Sequence, residues 1–273
     1  MHHQTIQDAH TSEASRPSRT ASAHWAPNAV TWHWSLFWRY LTTPLILQGA
    51  FTTIWLTVAT MVGAVLFGLL FALANDRGNA VVRLLYWLYI TLIRGTPLLL
   101  QLVFVYTVLP LAGVKLGVAE AALLALVVNE VAYIAEIIRS GLDAIPVGQR
   151  EAAHASGFGR WQTEFLVVVP QAVRIVVPTI GNQVNAMFKY TSLVSVISMT
   201  ELFQATQEIA DATFQFLEIY AVAALYYLAM TFVWTLVQSR IERATAIPGS
   251  HAAQRRSNPL RDIAMRVASR ASR

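Results

Sequence analysis

Five apolar stretches dominate this chain, at about residues 46–74, 81–111, 118–138, 174–199 and 219–237. About 20 apolar residues in a helix cross a hydrocarbon core ~30 Å thick. Backbone in lipid has no water to bond, so such stretches must become helices that satisfy their own N–H and C=O groups. Over half of the 273 residues, 55%, are hydrophobic and only 13% are charged, a balance outside the soluble range. The expected fold class is therefore all-α, an integral membrane protein with a five-helix core.

The stretches differ in kind. The first, 46–74, places small residues four apart at Ala59/Gly63 and Ala64/Gly68, which favours close helix packing inside a bundle. The second, 81–111, is too long for one straight span and is interrupted by Arg94-Gly95-Thr96-Pro97. Its expected form is a helix along the cytoplasmic boundary over 81–93, a break, and a span over 97–111. Arg94 is read as an anchor for that break at headgroup level, in preference to a substrate contact. The third, 118–138, contains Asn129, Glu130 and Glu136, and carboxylates inside a membrane need a reason. Glu136 lies three residues before Arg139, which predicts an ion pair on one helix face. Glu130 has no such neighbour and must face a cavity, find a partner on another helix, or be protonated. Asn129, Tyr133 and Glu136 share one face. The fourth stretch carries Asn182, Gln183, Asn185 and Lys189 with Pro178 and Gly181, implying an irregular helix with a wet or bundle-facing side. Residues 200–218 read as an external turn with Glu201, Glu208, Asp211 and Glu218 and no basic residue.

Charge sets the orientation. The formal net charge is +5, but the basic residues flank the apolar stretches instead of forming a stripe on a soluble domain. That pattern fits the positive-inside bias better than nucleic-acid binding. Arg77, Arg83, Arg139, Arg150, Arg160, Arg174 and the Arg-rich tail fall on one side, against Lys115 on the other. The C-terminus is thus expected in the cytoplasm and the N-terminus outside. The domain reading is a disordered tail over 1–24, an aromatic interfacial segment over 25–45, a transmembrane domain over 46–240 and a basic cytoplasmic tail over 241–273. There is no cysteine, and the seven histidines show no metal-ligand spacing, so no metal site is expected.

Between the third and fourth stretches lies a polar island, 141–170. Loops longer than ~12 to 15 residues are uncommon unless they have a task. Pro146 suits the first turn of a short helix, residues 149–156 are mostly good helix formers, and Gly157 suits the left-handed position that ends it. A second short helix, 160–169, is expected to stop at Pro170.

The island carries Glu151-Ala152-Ala153, Gly157, and Val167 and Val169 closing on Pro170. This spacing resembles the EAA loop of permease subunits of ATP-binding-cassette importers. LILQGAFTTIWLTVA, LIRGTPLLLQ, NEVAYIAEIIRSGL and KYTSLVSVI followed by TEL resemble, in order and spacing, the permeases for polar amino acids, over about residues 45–243. The resemblance implies a five-helix permease core of the type I importer kind in the bacterial cytoplasmic (inner) membrane. It implies a multi-pass transporter subunit and not an enzyme, moving polar amino acids by alternating access. Its partners would be a cytoplasmic ATPase dimer, which binds ATP and Mg, an external binding protein that delivers substrate, and a second permease copy or a related permease. No cofactor is expected on this chain. Glu151, Ala152, Ala153 and Gly157 become the ATPase-coupling candidates, with Val167 and Pro170 holding the second short helix. Asn129, Glu130, Asn185 and Lys189 become substrate-path candidates, Glu130 facing an ammonium and Lys189 a carboxylate, or the two neutralising one another. Two positions depart from the usual pattern: Tyr190 stands where an acidic or small polar residue is common, and His154 where a basic or polar one is.

The absence of an ATPase is supported independently. A phosphate-binding loop needs Gly-Lys-Ser/Thr, and the two lysines, Lys115 and Lys189, are followed by Leu116 and Tyr190. An ion-gradient-driven carrier or channel, with Glu130 as its ion or proton site, is the competing reading. Five spans without a visible internal repeat, and the EAA loop, argue against it.

Overall fold

The computed structural model describes residues 32–245. The tail over 1–24, the first part of the aromatic segment and most of the basic tail lie outside the described residues. Residues 33–245 pack as one unit. Among the described residues, four continuous helices are long and apolar enough to cross a membrane, and a bent helix pair, taken as one, would make a fifth span.

The chain enters through α1 (Trp34–Leu41) and runs into α2 (Pro44–Arg77), with Pro44 in the first turn, where its missing N–H costs nothing. Next come α3 (Ala80–Arg94) and α4 (Leu98–Thr107), followed by a 3-10 turn over Leu109–Ala112. Helix α5 (Val118–Asp143) follows, then α6 (Val147–Ala155) and α7 (Arg160–Gln162). A π-helical turn, Thr163–Val168, leads directly into α8 (Val169–Tyr190), which tightens to 3-10 geometry over Thr191–Ile197. The short α9 (Leu202–Thr213) and the long α10 (Phe216–Thr245) complete the fold.

Helix α5 is the axis of the bundle. It packs against α2, α3, α4 and α8, and Ala121, Ala122, Ala125, Ala132 and Ala135 are all buried along it. Small side chains let backbones approach closely where apolar burial gives no advantage over lipid. The same logic holds on α2. A Cβ at Gly63 would meet Val127 at 3.1 Å and one at Gly68 would meet Ile134 at 2.8 Å, so the small-residue pairs seen in the sequence are the seam between α2 and α5.

The interrupted stretch forms two helices with a break between them, as expected. Its two arms meet at 103° around Gly95-Thr96-Pro97. The arm from Leu98 to Ala112 alone is 15 residues, ~22 Å of helix at 1.5 Å per residue, and cannot span ~30 Å. By length the stretch counts as a fifth span only when α3 and α4 are taken together as one broken span. Helix α3 does not simply skirt the bundle: Tyr89 donates to the Val128 carbonyl of α5 at 2.6 Å and Tyr86 donates to Glu136 at 3.3 Å.

The expected stop at Pro170 is also corrected. The helix continues from Arg160 to Tyr190 without interruption. A proline inside an α-helix clashes with the carbonyl four residues back and removes one hydrogen bond. The π-helical turn just before Pro170 inserts an extra residue into the turn and lets the ring sit in a continuous helix.

Residues 200–218 are more than a turn. They hold α9, which packs against α2 and α10, and Glu201 and Glu218 are 0% and 2% exposed.

Candidate functional site

Two regions carry the chemistry, a hairpin at one end of the bundle and a polar interior around α5. In the hairpin, α6 ends through Gly157 at φ 85°, the left-handed position that glycine adopts at no steric cost. The Phe158 N–H returns to the Ala153 carbonyl at 3.0 Å and the Gly157 N–H to that of His154 at 3.0 Å. Arg150 donates to Glu164 at 3.2 Å and ties α6 to the π-helical turn. Gln171 donates to the Val167 carbonyl at 2.8 Å.

The coupling candidates divide in two. Glu151, Ala152 and Gly157 are exposed, whereas Ala153 is buried in the hairpin itself. Val167 is half-buried and Pro170 exposed. The residues that anchor the hairpin to the bundle are Val168 and Ala172, which cluster with Ile145 and the half-buried Leu142 of α5. The outer face is apolar, with Val147, Phe165 and Leu166 more than half exposed and Trp161 stacked on Phe165 at 5.6 Å. The hairpin is thus a continuous extension of α8 that presents Glu151, Arg160 and apolar side chains.

In the interior, the expected face of α5 forms as read. Asn129 donates to Gln101 Oε1 at 2.9 Å, Tyr133 lies under the Arg94 guanidinium at 5.4 Å, and Glu136 pairs with Arg139 and accepts from Tyr86. All three meet the bent pair. Glu130 is 1% exposed and accepts from Gln183 of α8 at 3.0 Å. Its partner is therefore on another helix, one of the outcomes left open by the sequence. No ion pair joins Glu130 to the exposed Lys189 among the described residues. Asn185 points a buried Oδ1 that has no hydrogen-bond partner.

Sequence reasoning missed Gln101 and Glu201. Gln101 Nε2 donates to the carbonyls of Ile93 and Thr96 and to Thr96 Oγ1, at 2.8, 3.2 and 2.8 Å. It satisfies acceptors that the break at Pro97 leaves without helical donors. Glu201 caps α9 by accepting from the N–H groups of Phe203 and Gln204 at 2.9 and 2.8 Å. Tyr227 and Thr53 also donate to it, at 3.0 and 3.4 Å. Burial raises its pKa, and these donors oppose the rise. The signal for Glu201 was an acid beside an apolar Leu202-Phe203 at a helix start.

Residues 64–247 match the family described as "Binding-protein-dependent transport system inner membrane component". The chain belongs to this family. It is a multi-pass inner-membrane permease component, a transport subunit and not an enzyme. The permease is 37% identical over 216 residues to the glutamine transport system permease protein GlnP of Escherichia coli (strain K12), covering 78% of this chain and 98% of that one. It is 36% identical over 232 residues to the arginine transport system permease protein ArgU of Corynebacterium glutamicum, covering 80% and 73%. Identity to the L-cystine transport system permease protein TcyB of Bacillus subtilis (strain 168) is 37% over 201 residues, covering 73% and 86%. Among solved structures, an amino acid ABC transporter crystallised with histidines superposes with a TM-score of 0.74 at 34% identity, covering 78% of this chain and 99% of that one. The MetNI methionine ABC transporter in an inward-facing form shares the fold, with a TM-score of 0.64 at 19% identity over 79% and 100% of the two chains.

Proposed function

We propose that this permease imports a polar amino acid, received from an external binding protein and released inside by alternating access, with ATP hydrolysed on a separate cytoplasmic ATPase pair. The observation that carries the reading is the hairpin, joined to α8 without a break and buttressed on α5 by Val168, Ala172 and Ile145. A partner that grips the hairpin moves two bundle helices, which is how ATPase closure would switch a rigid-body device between states. Relatives named for glutamine, arginine and cystine support an amino-acid cargo.

In this reading Glu151, Ala152 and Gly157 face the ATPase, and Ala153, Val167 and Pro170 keep the hairpin in shape. The hairpin and the Arg-rich segments lie in the cytoplasm and the N-terminus lies outside. A second permease, identical or related, completes the path. Glu130, Asn185 and Lys189 lie along that path, the unpartnered Asn185 Oδ1 being an acceptor available to an ammonium. Asn129 is held by Gln101 and braces the broken span. Helix α1 sits at the outer membrane interface, consistent with the aromatic ladder of Trp34, Phe37 and Trp38 along it.

The test is reconstitution of the permease with its ATPase in vesicles, with binding protein added outside. Uptake of a polar amino acid that needs both ATP and binding protein is expected. Glu151→Lys should abolish uptake while the protein stays in the membrane. Normal uptake by that variant would sink the docking role, and uptake driven by an ion gradient without ATP would sink the importer.

A further inference from the structure

The basic end of the chain has an orientation but no task in transport. Helix α10 leads to it at the hairpin end of the bundle. Trp234 donates to the Gly181 carbonyl at 2.8 Å and Gln238 to that of Pro178 at 3.3 Å, so the last turns of α10 run beside the first turns of α8. In those turns Glu242 is half-buried and accepts from Gln238 at 2.9 Å, while Arg240 and Arg243 are exposed. Neither arginine forms an ion pair with another described residue, and Arg174 near the start of α8 is likewise exposed and forms none. This end of the bundle is a rim of guanidinium groups.

Past α10 the charge continues. Residues 247–273 hold six arginines, Arg255, Arg256, Arg261, Arg266, Arg270 and Arg273, and one acid, Asp262. The ordinary reason for such residues is to orient a span, but only those within ~15 to 20 residues of its end count. Arg266, Arg270 and Arg273 lie farther than that from Thr245, where the span ends. A merely solvated run needs no apolar period, yet Leu260, Ile263, Ala264, Val267, Ala268 and Ala271 recur three and four apart, the spacing that gathers apolar side chains on one helix face. The segment is also outside what the family shares: the family match ends at residue 247, and 216 residues of this chain account for 98% of Escherichia coli GlnP.

We propose that residues 255–273 bind the anionic lipid surface of the cytoplasmic leaflet, the arginines on headgroup phosphates and Leu260, Ile263 and Val267 in the interface. The proposal rests on the cytoplasmic placement of this end given above. Guanidinium groups pair with phosphate in a bidentate fashion, and every basic residue held near an anionic leaflet adds attraction. The segment begins where a span leaves the bilayer, beside the exposed Arg240 and Arg243, so the lipid surface is the partner within reach. It has no Phe, Tyr or Trp to anchor it in a protein groove. For the same reason its apolar hold on lipid is shallow, and the charges carry the binding, which salt therefore reverses.

The chain has no cysteine, so Ala268→Cys provides a single labelling position. The full-length permease with an environment-sensitive fluorophore there is placed, with and without its ATPase, in nanodiscs of phosphatidylcholine or of phosphatidylcholine with about 30% phosphatidylglycerol. Both kinds of disc contain the same nitroxide-labelled phosphatidylcholine as quencher. Quenching should be about threefold or more stronger with phosphatidylglycerol, whether or not the ATPase is present, and should fall to the phosphatidylcholine level in ~0.5 M salt. These comparisons need no substitution beyond the label. Arg261→Gln, Arg266→Gln and Arg270→Gln together should abolish the difference between lipids, and Ile263→Ser with Val267→Ser should reduce it at unchanged charge. Equal quenching in the two lipids, quenching that resists salt, or a wild-type response from either combined variant overturns the proposal. Quenching that requires the ATPase assigns the segment to that protein and overturns it too. An impermeant thiol reagent on the same cysteine, in right-side-out and inside-out vesicles, tests the placement separately. Labelling in right-side-out vesicles removes the cytoplasmic placement, whereas labelling in inside-out vesicles alone, without lipid-dependent quenching, removes the lipid site and leaves the placement standing.

Discussion

Asn129 of α5 donates to Gln101 of α4 at 2.9 Å, and the same Gln101 amide donates back across the break to Ile93 at 2.8 Å. One side chain therefore locks the angle between the two arms of the broken span and seats both on the central helix. Replacing Gln101 with Leu leaves the Ile93 and Thr96 carbonyls and the Asn129 amide unsatisfied. Each unpaired buried group costs about 1–3 kcal/mol. Gln101→Leu should lower the thermal midpoint of the purified protein by several degrees, and Asn129→Ala should do so by less. Neither should change the ranking of amino acids in an uptake panel. A changed ranking in Asn129→Ala at unchanged stability would return Asn129 to the substrate path.

The α2–α5 seam predicts a steric effect. A Cβ on Gly68 meets Ile134 at 2.8 Å and the Ala135 backbone nitrogen at 3.1 Å. Backbone cannot yield as a flexible side chain does, and overpacking of this kind costs ~1–3 kcal/mol. Gly68→Val should destabilise strongly. Gly148→Val, at an exposed position with nothing within 4 Å, should hardly alter the midpoint. Equal midpoints for the two variants would show that the seam is looser than described.

Much of this architecture was legible because membrane burial imposes long apolar runs and the four-residue small spacing of Ala59/Gly63 and Ala64/Gly68. The ion pair of Glu136 with Arg139 was legible for the same reason, since both partners lie on one helix three residues apart. Contacts between elements distant in sequence were not. Gln183 is 53 residues from Glu130, and Tyr227 is 26 residues from Glu201, so neither partner announces itself by spacing. Pro170 misled because the rule for proline concerns regular α-helix, and a π-helical turn escapes it. Residues 200–218 read as a turn because an acid at a helix N-cap and an acid in a loop have the same composition.

Glu201 gives a pH prediction. It lies outside the membrane-spanning helices, and burial raises its carboxyl pKa in the folded protein. A raised acid binds its proton more tightly when folded. Its contribution to stability is fully present below the unfolded carboxyl value, ~4.3, and is lost as pH rises through the folded value. The Glu201→Gln amide keeps an acceptor for the α9 N–H groups and does not titrate. The thermal midpoint of wild type relative to Glu201→Gln should therefore fall as pH is raised from ~4.5 to ~8 in detergent. A relative midpoint that rises with pH would mean that the Tyr227, Thr53 and backbone donors outweigh burial.

The pair Arg150 and Glu164, 3.2 Å apart and each about one-third exposed, separates hairpin geometry from partner contact. An exposed pair of this kind contributes ~0–1 kcal/mol, so single charge reversals should leave the midpoint nearly unchanged. Its position is more consequential than its energy, because it sets α6 against the turn that becomes α8. Arg150→Glu and Glu164→Arg should each reduce ATP-driven uptake several-fold, while the double reversal, which restores the pair with opposite polarity, should recover most of it. Recovery assigns the pair to the shape of the hairpin. Failure of the double variant, with both single variants folded and inserted, would mean that Arg150 or Glu164 instead faces the ATPase directly, and suppressing charge changes would then have to be sought on that partner.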